Sequence, residues 1–310
     1  MLNRRNFLKK AGIGGGLLLS GSFPFDALAS AQKTELTILH TNDVHSRLDP
    51  FPMDGSEWQG LGGVAARSAL IQKIRARNEH VLLLDAGDIF QGTPYFNLYK
   101  GEPEIIAMSK MGYDAATMGN HDFDAGLDGF AKQLPHAQFP FLVANYDFSE
   151  TILEQKIIPY KIFKKGTLKI GVFGLGIQLW GLVPTDAFGK TKYLDPLPIA
   201  NELGNKLKKK LACDFVICLS HLGYQYESYK ISDCLLAKDS VGIDLIIGGH
   251  THTFLDQPTV IKNKEGKEVL VNQVGWGGTR LGMLKFVFDS KKSTNISNAH
   301  TVIPIKETIG

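Results

Sequence analysis

Five strand-length apolar runs in this chain end in residues able to bind a metal ion. LTIL (36–39) leads to His40-Thr41-Asn42-Asp43-Val44-His45, and VLLL (81–84) to Asp85-Ala86-Gly87-Asp88. DAATM (114–118) leads to Gly119-Asn120-His121-Asp122, FVICL (215–219) to Ser220-His221, and LIIG to Gly249-His250-Thr251-His252. Asp-x-His and His-Thr-His suit a metal because alternate residues leaving a strand can both turn toward one ion. Taken singly, each match is weak: a lone Asp or His after an apolar run is ordinarily a turn residue or a satisfied core group. Gly-Asn-His-Asp by itself would serve as a helix cap. Joint occurrence changes the balance, because five of the nine histidines, His45, His121, His221, His250 and His252, fall in these loops. His40, His80, His136 and His300 take the ordinary reading.

These loops need a scaffold that brings them together. KIGVFGL (169–175) and FPFLV (139–143) add further strand-like runs. Segments 62–77, 103–111 and 199–212 have helical spacing, the second with Pro103 at a first-turn position. Strands alternating with helices imply an α/β sheet covered by helices. The carboxyl ends of strands in such a sheet converge on one crevice, so the five loops would gather a ligand set of two carboxylates, four of their five imidazoles and an amide. After Pro258 the pattern becomes a hairpin turning at Glu265-Gly266 and a closing strand, TRLGMLKFVF. With no internal repeat or low-complexity linker, residues 33–310 read as one domain.

Composition bounds the function. The 310 residues are 44% hydrophobic, 10% aromatic and 21% charged, values of a soluble globular protein with a substantial core. The net charge of +3 comes from Arg4, Arg5, Lys9 and Lys10 against Asp26, all within an expected leader. The remainder is near neutral, which disfavours a nucleic acid polymer or an anionic membrane as partner. KLKKKL (206–211) reads as a solvated helix face. Residues 1–29 resemble a twin-arginine export signal, with paired Arg, a weak Gly-rich apolar stretch and a small-x-small site at ALAS. That stretch is far shorter than the roughly 20 apolar residues of a bilayer span, so a periplasmic or extracellular protein without a permanent membrane anchor is expected. Cys213, Cys218 and Cys234 show no ligand spacing, and Cys213 and Cys218, within or beside an apolar run, read as small buried hydrophobes.

The order of the motifs resembles the calcineurin-like metallophosphoesterases. The strings LTILHTNDVHS, LLLDAGDIFQGTPYFN, MGYDAATMGNHDFDAG, LSHLGY and IIGGHTHT are similar to the 5'-nucleotidase branch, across most of residues 34–288. The resemblance implies a four-layer α/β/β/α sandwich of two mixed β-sheets flanked by helices. It implies two divalent metal ions, with Asp43, His45 and His252 on the first, Asn120, His221 and His250 on the second, and Asp88 bridging. Oxygen and nitrogen ligands without sulfur suit Mn²⁺, Zn²⁺, Fe or Co²⁺ and argue against Ca²⁺. Two such cations, roughly 3.5 to 4 Å apart, would acidify a shared water for attack on phosphorus and neutralise the phosphoryl oxygens. His121 with Asp124 resembles a catalytic His-Asp dyad, the imidazole stabilising the phosphoryl group or protonating the leaving group. Asp85 and Asn42 are candidates for holding the ligand loops, with turn residues as the alternative. The expected activity is that of an exported hydrolase of phosphate monoesters, 5'-nucleotides or related small esters.

The pattern also departs from that branch. Full-length relatives carry a C-terminal domain supplying arginines for phosphate and an aromatic clamp for the base. Here 22 residues follow Phe288 in the 310-residue chain, so that domain is expected to be absent and the ester is left open. A separate chain would then supply the clamp, or other small phosphate esters would be taken. Arg47 and Arg280 are the nearby cations nominated to help hold phosphate. The same site would also suit a 2',3'-cyclic nucleotide diesterase, a nucleotide-sugar pyrophosphohydrolase or a thiosulfate-ester hydrolase. A metal-stabilised binding subunit needing a partner is the reading from another class; the complete ligand set with His121 and Asp124 argues against it.

Overall fold

Strand β1 (Lys33–Thr41) sends Leu36 and Ile38 to one apolar core and Leu39 to another, the period-2 alternation of a strand buried on both faces. The computed structural model describes residues 33–289 and 292–306, with side chains to 289 and from 301; the leader expected at residues 1–29 lies outside them. β1 lies central in a five-stranded sheet of order β13 (Lys292–Pro304), β12 (Arg280–Asp289), β1, β2 (Val81–Asp85), β3 (Ala115–Ala116). β1, β2 and β3 run parallel, whereas β12 is antiparallel to both β1 and β13.

The second sheet has six strands in the order β10 (Thr259–Lys262), β11 (Glu268–Asn272), β9 (Leu245–Gly248), β8 (Phe215–Ser220), β6 (Leu168–Leu175), β5 (Tyr160–Lys165). Its central pairings are parallel and its two outer ones antiparallel, so both sheets are mixed. A short ribbon of β4 (Tyr146–Asp147) and β7 (Lys192–Tyr193) stands apart.

The layers follow from the alternation. Leu36, Ile38, Leu82 and Leu84 of the first sheet share one core with Ile170, Phe215, Ile217 and Leu245 of the second. Phe215 meets Phe286 across this interface with ring centroids 4.7 Å apart. Leu39 and Leu83 face helices Val64–Arg75 and Glu102–Met111 through Ile71, Ile105 and Met108. Phe173, Val216, Cys218 and Ile246 face helices Pro196–Asn205 and Asp233–Asp239 through Ala200, Leu203 and Leu236. The result is the α/β/β/α sandwich, in which each fully buried Leu, Ile or Phe contributes on the order of 1.5–3 kcal/mol. Among the described residues no helix is long and apolar enough to cross a membrane.

Local expectations are refined in three places. FPFLV does not form a ladder strand: it makes only single bridges, Ala116 to Phe141 and Leu142 to Ile158. Pro140 has no N–H to give a ladder, and its carbonyl instead accepts Ala116 N–H at 3.2 Å. The helix at 199–212 runs from Pro196 to Asn205 and widens into a π-type turn over Lys206–Lys210. Within that basic run Lys209 and Lys210 are exposed, while Lys208 pairs with Asp244 at 2.7 Å. The three cysteines are free thiols, Cys213 and Cys218 buried in the helix-facing core of the second sheet.

The loops after β1, β2 and β3 belong to one sheet and those after β8 and β9 to the other. The crevice therefore lies where the carboxyl ends of two sheets meet, rather than at the end of a single open sheet.

Candidate metal centre

Ligand atoms of Asp43, His45, Asp88 and His252 lie within 4.8 Å of one another, and so do those of Asp88, His221 and His250. Asp88 belongs to both groups. Asn120 joins the second, its Oδ1 2.8 Å from His250 Nδ1. The structure thus gathers all seven residues singled out as ligands, from five loops. Asp43, Asp88 and His221 are almost fully buried, while the His252 side chain is 41% exposed and forms the open side of the cage.

The backbone is bent to achieve this. Asp43, His45, Asp88, His250 and His252 all have φ between 49° and 72°, the left-handed region that an L-residue enters at a cost of about 1–3 kcal/mol. A chain continuing in extended conformation would carry alternate side chains along one face about 7 Å apart. The left-handed residues turn them toward one point.

The donor set fits divalent cations. His45 Nδ1 donates to Phe90 O at 3.3 Å and His221 Nδ1 to Ala86 O at 2.7 Å, which leaves each Nε2 as the nitrogen that faces the cage. These nitrogens lie close to other ligand atoms: His221 Nε2 is buried without a hydrogen-bond partner, 3.2 Å from Asp88 Oδ2. His45 Nε2 lies 3.0 Å from His252 Nε2 and 3.8 Å from Asp88 Oδ2. Burial disfavours charge on His221, yet Asp88 and Asp43 outweigh it and push its pKa up to about 10, which puts on Nε2 a proton that a bound cation would displace. Burial likewise opposes ionisation of Asp88, but His221 and His45 hold its carboxyl well below the usual carboxylate range. The cage calls for positive charge at its centre, and oxygen and nitrogen donors without sulfur supply the matching ligands.

Three side chains brace these loops. Asn42 Nδ2 donates to Asp43 Oδ2 at 2.6 Å and to Gly275 O at 2.7 Å, while its Oδ1 accepts Val274 N–H at 3.0 Å. Asp85 accepts from Thr41 Oγ1 at 2.6 Å and Gly87 N–H at 2.9 Å, closing the turn that precedes Asp88. Asp122 accepts four backbone N–H groups, those of Asp88, Ile89, Phe90 and Gly119, at 2.8–3.1 Å. It ties the Asp88 loop to the Asn120 loop.

A fourth brace is not visible in the sequence. Gln273 is fully buried after β11; its Nε2 donates to Gly249 O at 2.7 Å, and its Oε1 accepts Thr253 N–H at 2.5 Å and Thr251 Oγ1–H at 3.2 Å. One amide thus grips the chain on either side of His250 and His252. A solitary Gln in NQVG carries no signal of type or spacing that would single it out.

His121 stands beside the cage, its ring 5.4 Å from that of His45 and its N–H donated to Asp88 Oδ1 at 2.8 Å. Its Nδ1 meets Asp124 Oδ2 at 2.8 Å, and this hydrogen bond raises the imidazole pKa above its ordinary value against the effect of partial burial. Nδ1 is therefore the protonated nitrogen and Nε2 is left for chemistry. Of the nominated cations, Arg47 lies 4.0 Å over the Phe51 ring and Arg280 pairs with Asp256 at 2.9 Å. Of the ordinary histidines, His40 is buried and accepts from Asn272 Nδ2 at 2.9 Å. Neither it, His80 nor His136 joins a candidate metal cluster among the described residues; the His300 side chain lies outside them.

Residues 36–254 match the family model described as calcineurin-like phosphoesterase. Among curated proteins, the chain is 36% identical to a snake venom 5'-nucleotidase of Gloydius brevicauda over 93% of this chain and 51% of that one. It is 34% identical to a 5'-nucleotidase of Bos taurus, over 88% of this chain and 50% of that one. Among solved structures, a 5'-nucleotidase precursor from Thermus thermophilus superposes with a TM-score of 0.79 at 35% identity, covering 88% of this chain and 55% of that one. The chain spans about half the length of these relatives. With the matched span covering all five loops, the chain belongs to the calcineurin-like phosphoesterase family.

Proposed function

We propose that the protein is an exported hydrolase of phosphate monoesters, 5'-nucleotides or related small phosphate esters, working with two divalent cations of the Mn²⁺, Zn²⁺, Fe or Co²⁺ class. Asp43, His45, Asp88 and His252 hold the first cation; Asp88, Asn120, His221 and His250 hold the second. The observation that carries this reading is the sharing of Asp88 between two separate ligand groups. A buried carboxylate with imidazoles on both sides, in a cage that also holds Asp43, is costly unless cations compensate it. When bound, the cations acidify a water to serve as nucleophile and offset the charge of the phosphoryl oxygens.

The chain's own residues do the rest. Asn42 fixes the rotation of the Asp43 carboxylate, and Asp122 holds the Asp88 loop against the Asn120 loop. Asp124 anchors His121 through Nδ1, leaving Nε2 to stabilise the phosphoryl oxygens or to deliver a proton to the leaving oxygen. No Ser or Cys nucleophile is needed. Export is supported by the venom relative and by the twin-arginine-like leader.

The test is metal analysis of the purified mature protein together with a substrate panel: AMP, an aryl phosphate, a bis-aryl phosphate, 2',3'-cyclic nucleotides, UDP-sugars and a thiosulfate ester. Phosphate release from monoesters, dependent on two metal equivalents per chain, is the expected result. Metal-loaded protein that leaves every monoester untouched would overturn it.

A further inference from the structure

We infer that Trp58, Phe254 and Trp276 form a stacking ledge beside the metal cage that receives the planar ring of the ester's leaving group, the nucleobase of a nucleotide. This rests on the phosphomonoesterase reading and names the substrate class for it. The ledge is a continuous line of rings that starts at a candidate ligand. Trp276 lies nearly parallel to His252, with centroids 6.0 Å apart and planes 14° apart. Trp58 stands 6.0 Å from Trp276 and stacks on Phe254 at 5.5 Å and 23°.

Exposure separates this cluster from the core. Aromatic groups in the interior are closed to water, as with Phe90 at 0% and Phe130 at 1%. Trp58, Phe254 and Trp276 are all only half-buried, although they touch one another and rest on the buried Phe51, 5.4 Å from Trp276. Three contiguous large rings kept partly in water at the edge of a polar cage are a surface that a flat apolar ligand completes.

The ledge is also built rigidly. The loop carrying Trp58 is closed by a bridge between Pro50 and Gly62 and by hydrogen bonds from Phe51 N–H to Leu61 O at 2.8 Å and from Leu61 N–H to Trp58 O at 2.9 Å. Phe254 bridges to Val274 two residues after His252, and its ring fills the place where a Cβ on Gly275 would sit. The guanidinium of Arg280 lies 4.7 Å over the Phe254 ring. A preset platform loses little conformational entropy on binding.

Reach and chemistry then choose the ligand. Trp276 lies one ring-to-ring step of 6.0 Å from His252, a distance that the ribose of a 5'-nucleotide bridges between phosphate and base. Stacking needs only a π face, so the ledge accepts all bases and favours the larger purines.

The experiment compares kcat/KM for AMP with that for ribose 5-phosphate, which carries the same phosphate and sugar without a base. In the wild-type protein AMP is expected to be preferred. The AMP to ribose 5-phosphate ratio should fall by about 5- to 100-fold in Trp58→Leu or Phe254→Leu, mainly through KM. A ratio unchanged in both variants overturns the ledge and leaves the loop packing or docking of another protein domain as its role. Should either variant fail to fold, adenosine quenching of tryptophan fluorescence in the wild-type protein decides: quenching that ribose does not produce supports the ledge, and its absence sinks it. Failure to hydrolyse ribose 5-phosphate and AMP alike would sink the phosphomonoesterase reading. Hydrolysis of both without preference sinks the ledge alone.

Discussion

Asp88 Oδ2 lies 3.2 Å from the partnerless Nε2 of buried His221, and the same carboxylate lies 3.8 Å from His45 Nε2 on the other side. A single carboxylate oxygen set between two imidazole nitrogens is a geometry that two cations complete. Asp88→Asn keeps the shape and removes the charge. The variant should bind one metal equivalent or fewer and lose about 100- to 1,000-fold in kcat, the scale expected when electrostatic stabilisation of a transition state is removed. Elemental analysis with steady-state kinetics checks this; full metal content and activity in the variant would refute a bridging role.

His121 and Asp124 form a pair that the metal ligands do not need. His121→Ala should therefore retain its metals while kcat falls by about 100- to 10,000-fold, the usual contribution of a positioned acid or base. Asp124→Asn should fall less, because the imidazole remains but loses its orienting partner. Loss of metal along with activity in His121→Ala would instead assign the residue to the cage.

The hydrogen bonds of Gln273 go to residues that are not candidate ligands: its amide holds Gly249 O and Thr253 N–H, either side of the two histidines. Gln273→Met keeps the volume and removes these bonds, leaving a buried N–H unsatisfied at a cost of about 1–3 kcal/mol. Metal affinity measured by titration calorimetry should weaken by about 10- to 100-fold, as for other residues that orient ligands from behind. An affinity within error of wild type would reduce Gln273 to a packing residue.

The contrast between Gln273 and the histidines explains what is legible in sequence. His45, His250 and His252 follow apolar runs at alternate positions, so residue type and spacing both mark them, and strand ends must open onto a crevice. Gln273, by contrast, acts through main-chain contacts to residues some twenty positions away, and no local pattern encodes that. Asp122 reads in sequence only as a member of its motif, although it caps four amides. The fold shows the same division. β2, β6, β8 and β9 are almost entirely buried and therefore predominantly apolar. β5, YKIFKK, lies at a sheet edge with no fully buried residue, and the polar β13, KSTNISNAHTVIP, lies at the edge of the other sheet; neither carries an apolar run that marks it as a strand. The partition into two sheets is carried by family resemblance, since strand periodicity does not reveal which strand pairs with which.

Because the cage gathers carboxylates and lone pairs at one point, the folded state should depend on cations. Cation binding to the native state alone stabilises by RT ln(1 + [L]/Kd), about 2.7 kcal/mol per site at a hundredfold excess over Kd. Chelation should lower Tm by roughly 5 °C or more, and Mn²⁺ or Zn²⁺ should restore it. Equal melting with and without chelator would show that the loops are held without metal.

Asp233 offers a pH test outside the ligand set. It is fully buried at the start of its helix, accepts from Ser220 Oγ at 2.5 Å through one oxygen and has no partner at the other. Burial raises its pKa from 3.8 to about 8, against the opposing effect of the Ser220 hydrogen bond. A carboxyl kept neutral in the fold retains a proton that the unfolded chain releases above its ordinary pKa. Its contribution to stability is therefore fully present at low pH, declines as pH rises from about 4 to about 8, and is constant above that. Asp233→Asn keeps the shape and cannot titrate, so the difference in unfolding free energy between wild type and variant, at fixed metal, should shift in favour of the variant as pH rises through this window. Denaturant titrations at pH 5, 6, 7 and 8 measure it; a difference independent of pH would mean that the folded protein holds Asp233 ionised.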